Sequence, residues 1–225
     1  MSVFFTAHSF NSISDPQRFV FIHIPRTGGS SLIEQIKKYC EFYIKGEPHQ
    51  SASMIPNRDS AKIEWMGGEV ELKDALYQKI TVVRHPADRL VSIFNMTYLT
   101  TQEIANKSFR KPRVPWARKN LNKLSRLDIN ELIQMTDQQM IAEFDITEGF
   151  WSWGMTPGQV DFIDDSTEVH KFEDKSIWKR LDLPPIRDNR GKNIMRWSVD
   201  DLTEKSLNII REKFSIDYDK FGYKY

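Results

Sequence analysis

The chain has 225 residues, 40% of them hydrophobic and 28% charged, with 32 Lys and Arg against 31 Asp and Glu for a formal net charge of +1. That length carries one domain with a substantial core, and the near-zero charge excludes a global electrostatic pull toward nucleic acid or a membrane surface. A single cysteine, Cys40, excludes an internal disulfide framework and reads as packing at the end of a helix.

Residues 1–18 form a polar lead-in without the basic-then-apolar order of a signal peptide, and no segment reaches the length of a membrane-spanning helix. Phe19 to Leu32 then read FVFIHIPRTGGSSL. Phe19–Ile24 is an apolar strand that stops at Pro25, and a helix follows over Ser30–Tyr39. Strand, glycine turn and helix N-terminus in that order make an anion site. Glycine lets the backbone close on a ligand, and the N–H groups of a first helical turn have no partner within the helix. Arg26, Thr27, Ser30 and Ser31 add donors around Gly28 and Gly29, so the ligand carries phosphate or a similar group. The triphosphate loop G-x-x-x-x-G-K-[ST] and the dinucleotide loop G-x-G-x-x-G are both absent.

A short strand near Phe42–Ile44 and helices around His49–Ile55 and Val70–Leu76 come next. Ile80 to Tyr98 read ITVVRHPADRLVSIFNMTY. Here a strand over Ile80–Arg84 leads into a helix, Pro86–Tyr98, with proline at its first turn. Arg84 stands where the strand ends, and Arg89 and Ser92, three apart, share a helix face. Residues 100–156 form a helical insertion with helices over Asp128–Met135 and Asp137–Phe144. Its basic stretch, from Lys107 to Arg126 with Phe109 and Trp116 inside it, fits an acceptor groove or a solvated surface. Trp151, Ser152 and Trp153 fit a sugar platform or a core anchor. A late strand, Glu168–Phe172, a helix, Ser176–Leu181, and a final structural helix, Asp200–Phe214, complete the chain. The sequons Asn95-Met96-Thr97 and Asn106-Lys107-Ser108 read as chance. Strands separated by helical crossovers give an α/β fold with a mostly parallel central sheet flanked by helices, and ligands bind beyond the carboxyl ends of such strands.

The first loop resembles the phosphosulfate loop P-[KR]-[TS]-G-G-[ST]-[ST] of sulfotransferases, which use 3′-phosphoadenosine 5′-phosphosulfate (PAPS) as donor and release 3′-phosphoadenosine 5′-phosphate (PAP). The second motif is similar to that family's V-R-[ND]-P-x-x-R-L-x-S. His49-Gln50-Ser51-Ala52, Gln159 to Ile163, Val169 to Glu173, Leu183-Pro184, Asp188 to Arg190 and the C-terminal segment extend the likeness. The pattern is closest to the carbohydrate O-sulfotransferases that act on heparan and chondroitin chains. Arg26 stands where the family usually has lysine, and His85 where it has Asn or Asp.

The resemblance implies a P-loop-like three-layer fold over residues 1–225 as one domain. It implies a 3′-phosphate held by Arg84 and Ser92, and a phosphosulfate held by Arg26 to Ser31. Arg190 and Lys192 match a basic loop that closes over the donor, and His49 matches the histidine that takes the acceptor proton. Glu47 and Glu69 are weaker candidates for that base. The acceptor is a hydroxyl-bearing glycan or small carbohydrate, with no metal, nucleic-acid or membrane partner. The membrane-anchored relatives differ from this chain, which reads as a cytoplasmic version or an excised catalytic domain. A PAP-binding protein without turnover is the alternative, and a nucleotide kinase a more distant one.

Overall fold

The computed structural model describes residues 6–11, 18–39, 43–48, 62–65, 68–71, 77–105, 128–144, 158–184 and 197–224. They belong to two compact units, Met1–His85 with Gly158–Arg187 and Pro86–Pro157 with Asp188–Tyr225. The described strands are β1 (Thr6–Asn11), β2 (Arg18–His23), β3 (Tyr43–Pro48), β4 (Lys62–Trp65), β5 (Gly68–Glu71), β6 (Tyr77–Val83) and β7 (Glu168–Lys171). The described α-helices are α1 (Gly29–Tyr39), α2 (Pro86–Ala105), α3 (Ile129–Gln134), α4 (Asp137–Phe144), α5 (Ser176–Arg180), α6 (Glu204–Lys213) and α7 (Ser215–Phe221).

The first unit is an α/β unit built on a sheet of order β3-β1-β2-β6-β7. β2, β6 and β7 are parallel, and β1 runs antiparallel between β2 and β3. Alternation along the strands puts Phe19 and Phe21 of β2 on the same face as Ile80 and Val82 of β6. There they pack with Leu32, Ile33 and Ile36 of α1, Ile177 and Trp178 of α5, and Leu181 just after it. Val20, Ile22, Thr81 and Val83, on the opposite face, are buried as well. Both faces of β2 and β6 are therefore out of water, which is why their centres read as apolar runs, whereas β7 (EVHK) is only partly buried.

Register decides where the chain presents its chemistry. Thr6, the first residue of β1, stands opposite both His23 and Pro48, the last residues of β2 and β3. Val83 and Lys171, which end β6 and β7, face each other. Four strands thus finish at one edge of the sheet, and Arg26, Arg84 and Phe172 follow directly from three of them.

The second unit is helical. α2, α3, α4, α6 and α7 share a core that includes Leu90, Phe94, Ile133, Phe144, Ile210 and Phe214. The described helices of the insertion, α3 and α4, are therefore packed with the C-terminal helices. Asp128 begins α3 with a reciprocal cap: its carboxylate accepts from the Asn130 N–H at 2.8 Å, and Glu131 accepts from the Asp128 N–H at 3.0 Å. Asn95 of α2 accepts from the Trp197 N–H at 3.1 Å and donates to its carbonyl at 2.8 Å. A buried asparagine with its amide so engaged is closed to glycosylation in the folded chain.

Several sequence expectations are corrected. The polar lead-in contains β1, whose backbone pairs on both sides. Val70 and Glu71, expected in a helix over Val70–Leu76, belong to β5, with Val70 opposite Ile63 of β4. The final helix is interrupted: a 3-10 turn at Val199–Asp201 precedes α6, which is capped by Thr203, and α7 follows after Phe214. The expected mostly parallel sheet is present: β2, β3, β6 and β7 run in one direction, and β1 alone is reversed, pairing antiparallel with β2 and β3. Cys40, the helix at His49–Ile55, residues 72–76, the basic stretch 107–126, Asn106 and Trp151 to Trp153 lie outside the described residues.

Candidate functional site

The turn after β2 is held by its own side chains. Thr27 is fully buried and donates its hydroxyl hydrogen to the Ile24 carbonyl at 2.9 Å, which closes the loop. The N–H groups of Ser31 and Leu32 donate to the Gly28 carbonyl at 3.1 and 3.3 Å, so the helical ladder of α1 starts there. Backbone N–H groups ahead of that ladder, at the positive end of an 11-residue helix, face the end of the loop. Ser30 is exposed and Ser31 partly so.

Two residues of the turn have left-handed backbone, Arg26 at φ 68° and Gly28 at φ 88°. For arginine that conformation costs on the order of 1 kcal/mol, a strain found most often where a side chain must be aimed. The glycines answer first to the protein's own rings. A Cβ on Gly28 would collide with the Phe172 ring, and one on Gly29 would collide with the imidazole of His23.

Electrostatically the loop gathers positive charge. Burial, followed by the charge of Arg84, pulls the Arg26 pKa down. The like charge of Arg84 thus disfavours the protonated form of Arg26. Arg84 lies over the face of Phe172, 5.2 Å from the ring centroid. Its backbone is fixed from the other side, with the Arg84 N–H donating to Gln159 Oε1 at 2.8 Å and its carbonyl accepting from Gln159 Nε2 at 2.7 Å. The His85 N–H donates to Glu173 at 2.7 Å, and the Phe172 N–H to the Val83 carbonyl at 2.8 Å. A turn that carries Arg26 into a helix N-terminus, with Arg84 at the end of β6, fits a ligand with several negative oxygens.

His23 lies beneath this loop, stacked on Phe21 with ring centroids 6.2 Å apart. Burial, with the charge of Arg26 second, pushes its pKa down to about 4. A base whose folded pKa lies below its unfolded value takes up its proton on unfolding, so its contribution is full above the unfolded pKa and is lost as pH falls toward the folded one. Between pH ~6.5 and ~4 this site should remove up to about 3 kcal/mol of stability. Urea midpoints followed across that range should decline less steeply for His23→Phe than for the unaltered chain; parallel declines would exclude His23 as the group responsible.

The remaining expected site residues divide. Ser92 and Arg89 are buried on α2 in the second unit. His49, Arg190 and Lys192 lie outside the described residues, although β3 ends at Pro48, immediately before His49. Glu47 is on β3 and Glu69 on β5. His23, Gln159 and Phe172 received no site role from the sequence. Gln159 and Arg84 are 75 positions apart, and no local periodicity marks such a pair. Among the described residues there is no group of three or more His, Cys, Asp or Glu placed to hold a metal ion, and no helix long and apolar enough to cross a membrane.

A family model described as "Sulfotransferase family" matches residues 11–153, more than half of the chain. The match covers the loop, Arg84 and Ser92 and stops before Gln159 and Phe172. No curated protein and no solved structure matches the chain.

Proposed function

This chain belongs to the sulfotransferase family, and on that premise we propose that it moves a sulfuryl group from PAPS to a hydroxyl of a carbohydrate acceptor. The observation that carries the donor assignment is the meeting of the two motifs: Arg84 lies over the Phe172 ring, and that ring packs against Gly28, in the turn that carries Arg26 and leads into α1. Bound PAPS supplies the sulfuryl group and its 5′-phosphate leaving group.

The chain's own residues then have distinct tasks. The turn from Thr27 to Ser31 holds the phosphosulfate with backbone N–H groups and hydroxyls. Since the Thr27 hydroxyl hydrogen is engaged by Ile24, its backbone N–H is the donor assigned to the ligand. Arg26 places positive charge where the leaving oxygen gains negative charge. Arg84 and Ser92 read the 3′-phosphate, and Arg190 and Lys192 close over the nucleotide. His49 takes the proton of the attacking hydroxyl, a role that suits imidazole near neutral pH. A sulfuryl group carries less charge than a phosphoryl group, so fixed cationic side chains can serve in place of a metal clamp. Residues 1–225 serve one sulfotransferase function.

Arg26 in place of the usual lysine favours one rival, a PAP-binding protein without turnover. A kinase requires ATP and a divalent ion. Thermal shift separates these: PAP should stabilise the full chain at concentrations where ATP does little, and excess EDTA should leave that shift unchanged. Stronger stabilisation by ATP with strict dependence on magnesium would overturn the reading.

A further inference from the structure

Gln159 turns both ends of its side-chain amide to one residue. It is fully buried, and its Nε2 and Oε1 bond the carbonyl and the N–H of Arg84 at 2.7 and 2.8 Å. A primary amide offers the same donor and acceptor as a peptide group. Gln159 therefore adds one rung to β6 beyond Val83, the last residue in register with β7. That extra rung fixes the backbone from which the Arg84 side chain departs.

The support for Gln159 is itself anchored. It opens the 3-10 turn Gln159–Phe162, and two residues beyond that turn Asp164 pairs at 2.6 Å with Lys79, which is buried on β6. Burial pushes the Asp164 carboxyl up, but hydrogen bonds from Lys79, Ser166 and Thr167 and the charge of Lys79 outweigh it and hold it at about 2. The segment is thus tied to the same strand at both Lys79 and Arg84. From the opposite direction, the Phe172 ring rests against Gly28 and under the Arg84 guanidinium.

We propose that Gln159 is a positioning residue that holds Arg84 in place for the 3′-phosphate and so sets the preference for 3′-phosphorylated nucleotides. This rests on the donor-site reading above. A purely structural glutamine would affect PAP and AMP equally, whereas one acting through Arg84 affects only the nucleotide with the 3′-phosphate.

The test is calorimetric titration of the full chain with PAP and with AMP, for the unaltered protein, Gln159→Leu and Gln159→Glu. The ratio of the two affinities should fall about tenfold or more in Gln159→Leu, while AMP affinity changes by less than about threefold. Gln159→Glu keeps an acceptor for the Arg84 N–H but sets a carboxylate against the Arg84 carbonyl, so the preference should be lost at neutral pH. It should return, relative to the unaltered protein at the same pH, once acid protonates the buried carboxyl and restores a donor. If Gln159→Leu does not fold, the pH-dependent rescue of Gln159→Glu decides alone. A parallel loss of PAP and AMP binding, or an unchanged ratio in both variants, would overturn the proposal while leaving the donor site standing. Equal affinity for PAP and AMP in the unaltered protein would remove the donor-site reading itself, and this role with it.

Discussion

Arg84→Ala should bring PAP affinity down to within a few-fold of AMP affinity while leaving AMP binding nearly unchanged. The guanidinium offers a planar fork to phosphate oxygens, and hydrogen bonds of that charged kind contribute about 1.5–3 kcal/mol each. Losing two of them corresponds to a drop of at least about a hundredfold. The fold should tolerate the change, because Gln159 bonds the Arg84 main chain, which alanine retains. Two smaller effects oppose each other: the contact with Phe172 is lost, and the repulsion that lowers the Arg26 pKa is relieved. The unliganded melting temperature should therefore move little, and the stabilisation by PAP should vanish. A variant that melts normally and still prefers PAP would remove Arg84 from the site.

His49→Ala should separate binding from turnover. A base acts on the acceptor proton, so donor affinity should stay close to that of the unaltered chain while kcat falls by about 10²–10⁴. Arg26→Ala should weaken both, since its charge meets the donor before reaction and the leaving oxygen during it. Arg26→Lys should retain substantial activity, because an ammonium can supply the same point charge. Lysine would occupy the same left-handed backbone at φ 68°, so a loss seen only with alanine reports on charge rather than strain. Wild-type turnover in His49→Ala would move the search for the base to Glu47 on β3 and Glu69 on β5.

The elements legible in sequence are those whose burial is complete. β2 and β6 are apolar runs because both of their faces are covered, and α1 begins where Gly28 and Gly29 follow Pro25. β1 was not legible, because TAHSFN is mostly polar and is recruited by backbone pairing to β2 and β3. The helical pattern misled at Val70 and Glu71 for a related reason, as pairing with β4 outweighs local spacing. The Gly67-Gly68 pair in the sequence, whose second glycine opens β5, is the turn signal that competes with it. At the site, the loop and Arg84 announced themselves through residue type and order. Their supports did not. Gln159 and Phe172 reach Arg84 and Gly28 only through the fold, and the two glycines are required by Phe172 and His23 as well as by any ligand. A motif shows which groups meet the ligand; the packing that aims them is tertiary.

The most direct measurement is transfer itself. The full chain is incubated with sulfur-labelled PAPS and a panel of glycans and small alcohols, and PAP release and labelled acceptor are quantified together. PAP should form only when a hydroxyl acceptor is present, in equal amount with labelled product and regardless of EDTA. PAPS that is bound in preference to AMP yet left intact across the panel would contradict it and leave a nucleotide-binding protein in its place.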